Sequence, residues 1–152
     1  MREHIGREHP AEGVFIFRGQ ATIAFLTVCA RERTPQLANP VIHHALITSW
    51  READAWLVGF YLIMPDHVHL FCAPTDDDYS VEQWTTFWKR RFKRILRSDA
   101  PRFQSHGFHH RLRRDENYSE KWDYVRANPV RAGLVSNPDD WPYQGILNEL
   151  RW

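Results

Sequence analysis

Residues 56–73 read WLVGFYLIMPDHVHLFCA, two apolar runs joined by Pro65 and Asp66. The first run, 56–64, is rich in β-branched and aromatic residues and reads as a strand. Proline lacks the N–H that a central strand needs, and aspartate favours turns, so positions 65–66 form a turn. The second run, 67–73, is then a strand antiparallel to the first. Side chains alternate along it: His67, His69 and Phe71 share one face, and Val68, Leu70 and Cys72 take the other. The all-apolar face suits packing against helices. The histidine face is therefore the sheet surface turned away from the main helical layer, or the floor of a cleft.

The other elements fall around this hairpin. ATIAFLTVCA (21–30) reads as a strand. Residues 40–55 read as a helix with Asn39 as N-cap and Pro40 in the first turn, with Val41, Ala45, Leu46 and Trp50 near a 3.6-residue period. Residues 80–98 form the clearest helix, with Ser80 as N-cap. Val81, Trp84, Trp88, Phe92, Ile95 and Leu96 fall on one arc of it; Lys89, Arg90, Lys93, Arg94 and Arg97 fall on another. FHHRLRR (108–114) reads as a fourth strand or an extended edge. DENYSEKWDYVRAN (115–128) reads as a helix interrupted by Pro129, followed by one more turn ended by Gly133. The tail is expected to be loop with a short terminal helix. The order strand, helix, strand, strand, helix, strand, helix predicts an α+β fold: a ferredoxin-like (RRM-like) antiparallel sheet with helices mostly on one face. A length of 152 residues fits a single domain, 1–152, with residues 1–12 expected to be loosely held.

Composition removes several classes of function. The two cysteines, Cys29 and Cys72, lie in apolar runs without a CxxC partner. That excludes a thiolate zinc site of the usual kind and argues against a disulfide framework. The thiols read as buried and reduced, in the cytoplasm. No apolar run approaches the ~18 residues of a membrane span. Net charge is +1, but residues 89–114 hold ten Lys/Arg against one acid, Asp99. Such a local excess points to a polyanionic partner that the overall value hides.

Two imidazoles held side by side make a bidentate site for a divalent metal. The plain alternative is a half-buried pair bonded to its neighbours. A third histidine at position 71 would suit a nucleotide hydrolase of the histidine-triad kind, but Phe71 breaks that motif. Another ligand and a nucleophile must come from elsewhere, and WDYVRANPVRAGLV (122–135) offers both. Tyr124 and Asn128 are spaced i, i+4 on one helical face. Asparagine supplies a hard carbonyl oxygen suited to Mg2+ or Mn2+. Tyrosine supplies a phenol, a poor nucleophile until a base or metal activates it. Phosphoryl transfer to that oxygen keeps the energy of a phosphodiester, so a strand can be cut and rejoined without ATP. The alternatives are a core tyrosine and an asparagine that merely ends a helix before Pro129.

MPDHVHL together with YVRANPVRAGLV resembles the REP-associated tyrosine transposases, a branch of the single-tyrosine HUH transposases. AFLTVCARERTPQL, FWKRRFKRIL, FQSHGFHHRLRRDENYSEKWDYVRANPVRAGLV and DDWPYQG extend the resemblance over most of the chain. One difference is Phe103, where the family commonly carries tryptophan. The resemblance implies an HUH transposase-like fold, with His67, His69 and Asn128 as metal ligands and Tyr124 as the nucleophile of a 5′-phosphotyrosine link. It implies Mg2+ or Mn2+ as cofactor and single-stranded DNA bearing a hairpin, of the repetitive extragenic palindrome type, as partner. It leaves a homodimer open.

The charge pattern supplies the rest of the expected interface. Lys89, Arg90, Lys93, Arg94, Arg97, Arg111, Arg113 and Arg114 are read as phosphate contacts, which give affinity without sequence choice. Phe103, Phe108 and His109 are candidates for base stacking. No RNP-like GFGFV pattern favours a standard RNA-recognition module. The reading is thus a DNA endonuclease and strand transferase in the cytoplasm, associated with the nucleoid. Its rivals are a domesticated protein that holds DNA hairpins without cutting, and a rolling-circle initiator or relaxase.

Overall fold

The computed structural model describes residues 4–5, 16–17, 22–76, 78–112 and 118–151. Two short strands, β1 (His4–Ile5) and β2 (Ile16–Phe17), pair antiparallel. The remaining elements are β3 (Ala24–Cys29), α1 (Pro40–Glu52), β4 (Trp56–Ile63), β5 (His67–Pro74), α2 (Val81–Leu96), β6 (Phe108–Arg111), α3 (Tyr118–Arg126), α4 (Asn128–Arg131) and β7 (Gln144–Ile146). Five strands form one sheet in the order β6-β3-β5-β4-β7, with every neighbouring pair antiparallel. From β3 to β6 this is the interleaved β-α-β order of a ferredoxin-like fold, with β7 added at one edge.

Both helices of the main layer start where their caps put them. Asn39 accepts from the Ile42 amide ahead of Pro40, and Ser80 and Gln83 close a capping box at α2. Inside α1 the inward arc runs through Ile42, not Val41, which is 63% exposed. Inside α2, Val81, Trp84, Trp88 and Phe92 are buried, but Ile95 is 40% exposed, because the helix runs past the edge of the core. The indoles mesh: Trp56 stacks on Trp84, and Trp88 meets both Trp84 and Trp50 edge-on. Against them lie Leu26, Val28, Val68, Leu70 and Cys72 from the sheet.

A bulge in β4 sets what the opposite face can hold. The register against β5 shifts between Val58 and Tyr61. Trp56, Val58, Tyr61 and Ile63 therefore all reach the main helical layer, while Phe60 and Leu62 turn to the other face. There Gly59 leaves room for Leu150; a Cβ at Gly59 would stand 2.7 Å from that side chain. Helix α3 covers this second face. Trp122 stacks on Phe60 at 4.9 Å, Tyr118 meets Phe71 edge-on at 5.0 Å, and Val125 is buried beside them.

The tail departs from expectation. No terminal helix forms among the described residues; instead Gln144–Ile146 is the fifth strand, pairing with Phe60–Leu62. The short run QGI carries no apolar periodicity, and tertiary pairing decides its state. Trp141 anchors it by donating from Nε1 to the Ile63 carbonyl at 3.0 Å. Cys72 is buried and Cys29 half-buried, both as free thiols. No helix among the described residues is long and apolar enough to cross a membrane.

Candidate active site

The histidine pair sits at the start of β5, on the sheet face that α3 covers. Its ring nitrogens are assigned by their partners. The His67 Nδ1 lies 2.8 Å from Asp66 Oδ1. A carboxylate only accepts, so His67 donates from Nδ1; in the neutral ring that leaves the lone pair on Nε2. Burial alone would raise the Asp66 carboxyl. Hydrogen bonds from His67 and Arg33, with their charges, outweigh it and hold the group below its ordinary value. Arg33 donates from Nε to Asp66 Oδ2 at 2.9 Å and also ion-pairs with it. To do so it adopts φ 54, after Glu32 at φ 58. Two consecutive left-handed non-glycine residues are uncommon, and the fold holds them there.

His69 lies 2.9 Å from Thr27 Oγ1 through Nδ1, because Thr27 and His69 are register partners across β3 and β5. Burial first, then the charges of His67, Lys121 and Arg131, push its pKa down to about 3. It is therefore neutral at physiological pH. The two Nε2 atoms face each other at 3.1 Å. Two nitrogen ligands about 2.1 Å from one first-row cation stand about 3 Å apart, so this spacing fits a shared ion. Partners at both Nδ1 atoms fix the rings as outer-shell groups do in metal sites. The Thr27 hydroxyl either donates or accepts, so His69 changes tautomer without turning its ring. Among the described residues no cluster of three or more His, Cys, Asp or Glu is placed to hold a metal. An ion between these imidazoles would thus complete its shell with amide, hydroxyl, water or substrate oxygen.

Helix α3 brings the expected nucleophile to this same face. Tyr118, Trp122 and Val125 point into the sheet, which leaves Lys121 and Tyr124 along the helix flank. The helix expected over 115–128 ends at Arg126, and Asn128 instead opens α4 after Ala127. The Lys121 ammonium sits 4.8 Å from the centre of the Phe25 ring, and Phe25 stacks on His69 at 5.3 Å. Tyr124 is 62% exposed. Tyr118, on the same helix, is half-buried, and burial lifts its phenol to about 12. The two tyrosines thus divide between packing and solvent. Arg131 clasps the flank from α4: its guanidinium lies 4.0 Å from the Tyr124 ring centre. It also donates to the Tyr124 carbonyl and to Asn128 Oδ1, each at 2.8 Å.

The expected phosphate contacts lie elsewhere. Arg90, Lys93 and Arg97 line a concavity on the other side of the sheet, beside α2, and Arg94 is exposed outside it. Lys89 is partly buried and donates to the Gln104 carbonyl at 3.0 Å. Arg111 sits half-buried on edge strand β6, and Arg113 and Arg114 lie outside the described residues. Phe103 wedges against Trp88 and Phe92, while Phe108 is 51% exposed. The sequence reading missed Thr27, Arg33, Asp66, Lys121 and Arg131. For Arg131 a signal existed, since it falls three residues after Asn128 and seven after Tyr124. Thr27 becomes visible only through strand register.

No family model matches the chain. It is similar to the REP-associated tyrosine transposase of Escherichia coli (strain K12), 31% identical over 137 residues, covering 83% of this chain and 77% of that protein. A provisionally named member of the same family from Haemophilus influenzae is 28% identical over 104 residues, covering 59% of this chain and 58% of that protein. Among solved structures, a REP-associated tyrosine transposase bound to a REP hairpin superposes with a TM-score of 0.66 at 25% identity. That match covers 92% of this chain and 81% of the other.

Proposed function

This chain belongs to the REP-associated tyrosine transposases, and from that premise we propose that it cleaves and rejoins single-stranded DNA beside a hairpin of repetitive palindromic type. Tyr124 is the nucleophile, and His67, His69 and Asn128 hold a Mg2+ or Mn2+ ion. The observation that carries this reading is the shared face: two imidazole nitrogens 3.1 Å apart belong to the sheet face on which the helix that bears Tyr124 packs. The bound ion would polarise the scissile phosphate and favour ionisation of a phenol directed at it.

The chain's own residues supply the remainder. Asp66 and Thr27 hold the imidazoles so that both Nε2 lone pairs converge. Arg131 fixes Asn128 Oδ1 through one lone pair and leaves the second for an ion. Lys121 and Arg131 set positive charge beside the Tyr124 ring, at 6.0 and 4.0 Å from its centre. A phosphodiester meeting Tyr124 would gain charge there as its transition state forms. In the step itself the phenolic oxygen bonds to phosphorus and the P–O3′ bond breaks. The DNA 3′ oxygen leaves and takes a proton, and the 5′ phosphate stays on Tyr124. One diester is exchanged for another, so the reverse attack by a 3′ hydroxyl reseals a strand.

The test is a covalent adduct. Labelled hairpin DNA with a single-stranded foot, incubated with Mg2+ or Mn2+, should give a band that migrates with the protein in denaturing gels. Tyr124→Phe should reduce it to background while hairpin binding persists. Binding without any adduct would favour the non-cleaving hairpin binder, and an adduct surviving in the variant would refute Tyr124 as nucleophile.

A further inference from the structure

Beside α2, on the sheet face opposite Tyr124, the surface carries an open concavity of about 600 Å3. One wall is α2, with Arg90 and Lys93, and Arg97 at the rim. Arg97 ends the helix at φ 56, a left-handed backbone that favours glycine or asparagine. The facing wall carries Arg31 and Arg102. These two are remote in sequence, and only Arg102 belongs to the basic segment 89–114. The fold brings them together: the Arg31 amide donates to the Arg102 carbonyl at 2.8 Å, and Ala30 bridges to Phe103. Phe103 locks that segment onto Trp88 and Phe92 at 5.7 and 5.3 Å. Both walls are therefore fixed before any ligand arrives.

No aspartate or glutamate lines the concavity. Among the described residues none of Arg31, Arg90, Lys93, Arg97 or Arg102 is in an ion pair. Neighbouring Arg91, on another flank of α2, is by contrast neutralised by Glu52 at 2.6 Å. Like charges gathered around one hollow repel each other, and a polyanion relieves that repulsion. The Arg31 wall is tied to the strand end that bears His67: Arg31 lies two residues after Cys29, the register partner of His67, and the Ala30 amide donates to the Asp66 carbonyl at 2.9 Å.

We propose that this concavity is a second DNA site, which takes consecutive phosphodiesters of one strand between α2 and an opposing jaw formed by Arg31 and Arg102. The site rests on the transposase reading only for the identity of its polyanion. Guanidinium groups on both walls suit phosphate oxygens, which they bind in a fork. The contact carries affinity and register but no base choice. The phosphodiesters belong either to the hairpin stem or to its single-stranded foot.

The test is R31Q/R102Q, measured by fluorescence anisotropy in EDTA, where chemistry plays no part. Three probes are compared across a salt series: a DNA hairpin with a single-stranded foot, the same stem blunt-ended, and an unstructured single strand. Two lost phosphate contacts should lower the slope of log K against log salt by about 1.8 on duplex or about 1.4 on single strand. R31K/R102K, which keeps the charge, should retain most of the slope. Loss confined to the stem probes assigns the site to the stem; loss on the footed and single-stranded probes assigns it to the foot. An unchanged slope on all three probes, or an equal loss in the lysine variant, overturns the proposal. Should the double variant fold poorly, R102Q alone should give half the change. Failure of the tyrosine reading would show separately, as a missing adduct with EDTA binding intact.

Discussion

The two faces of the central sheet are made from the same strands and follow different rules. Toward α1 and α2 the alternate residues are almost wholly apolar, and indoles fill the space. That layer tolerates poor polar bookkeeping: the indole nitrogens of Trp50 and Trp88 are buried with no hydrogen-bond partner. Toward α3 the same β3 and β5 present Thr27, His67 and His69 within an aromatic surround. Here the polar atoms are joined from Thr27 through both imidazoles to Asp66 and Arg33. The α3 face also buries Phe25, Phe60, Leu62 and Phe71, but it is the face on which polar groups are oriented, and the proposed chemistry would lie one sheet's thickness from the indole layer.

Substitutions on each face should break this division or sharpen it. The largest effect on stability should come from Trp84→Ala, which removes an indole 2% exposed that also donates to the Ala53 carbonyl. A loss of about 3–5 kcal/mol in denaturant unfolding is expected. Tyr124→Phe, on the other face, should shift stability by less than about 0.5 kcal/mol while it removes the adduct. Comparable losses from both variants would mean that the faces are not separable. A smaller effect should follow Asp66→Asn. The amide still accepts from His67 but lacks the charge that holds its tautomer and pairs with Arg33. Mn2+ affinity by calorimetry should fall about 10–100-fold, with thermal unfolding little changed. An unaltered affinity would make Asp66 only a turn residue.

The sequence was most informative where periodicity is strong. The β4–β5 hairpin, both caps of the main layer and the in-and-out alternation of β5 follow from residue order alone, because each is a local rule. The placement of His67 and His69 away from the main helices follows from Val68, Leu70 and Cys72 as their complement. Three features were not legible. The bulge at Gly59 and Phe60 reverses the alternation of β4 and sets Gly59 against Leu150, far along the chain. Strand β7 is too short and polar to announce itself. The Arg31–Arg102 jaw arises from a backbone pairing between segments with no shared motif. In the site, the common face of His67 and His69 was readable, but Thr27 and Arg33 join them only through register and a left-handed turn.

The central claim is that the imidazole pair and the Tyr124 phenol serve one cation. Mn2+ titration followed by NMR of the aromatic side chains tests it most directly. The account predicts that the ring signals of His67, His69 and Tyr124 broaden together at the lowest Mn2+ fraction, with Trp84 on the opposite face unaffected. Broadening of the histidines without Tyr124, or of neither before the surface residues, would contradict it.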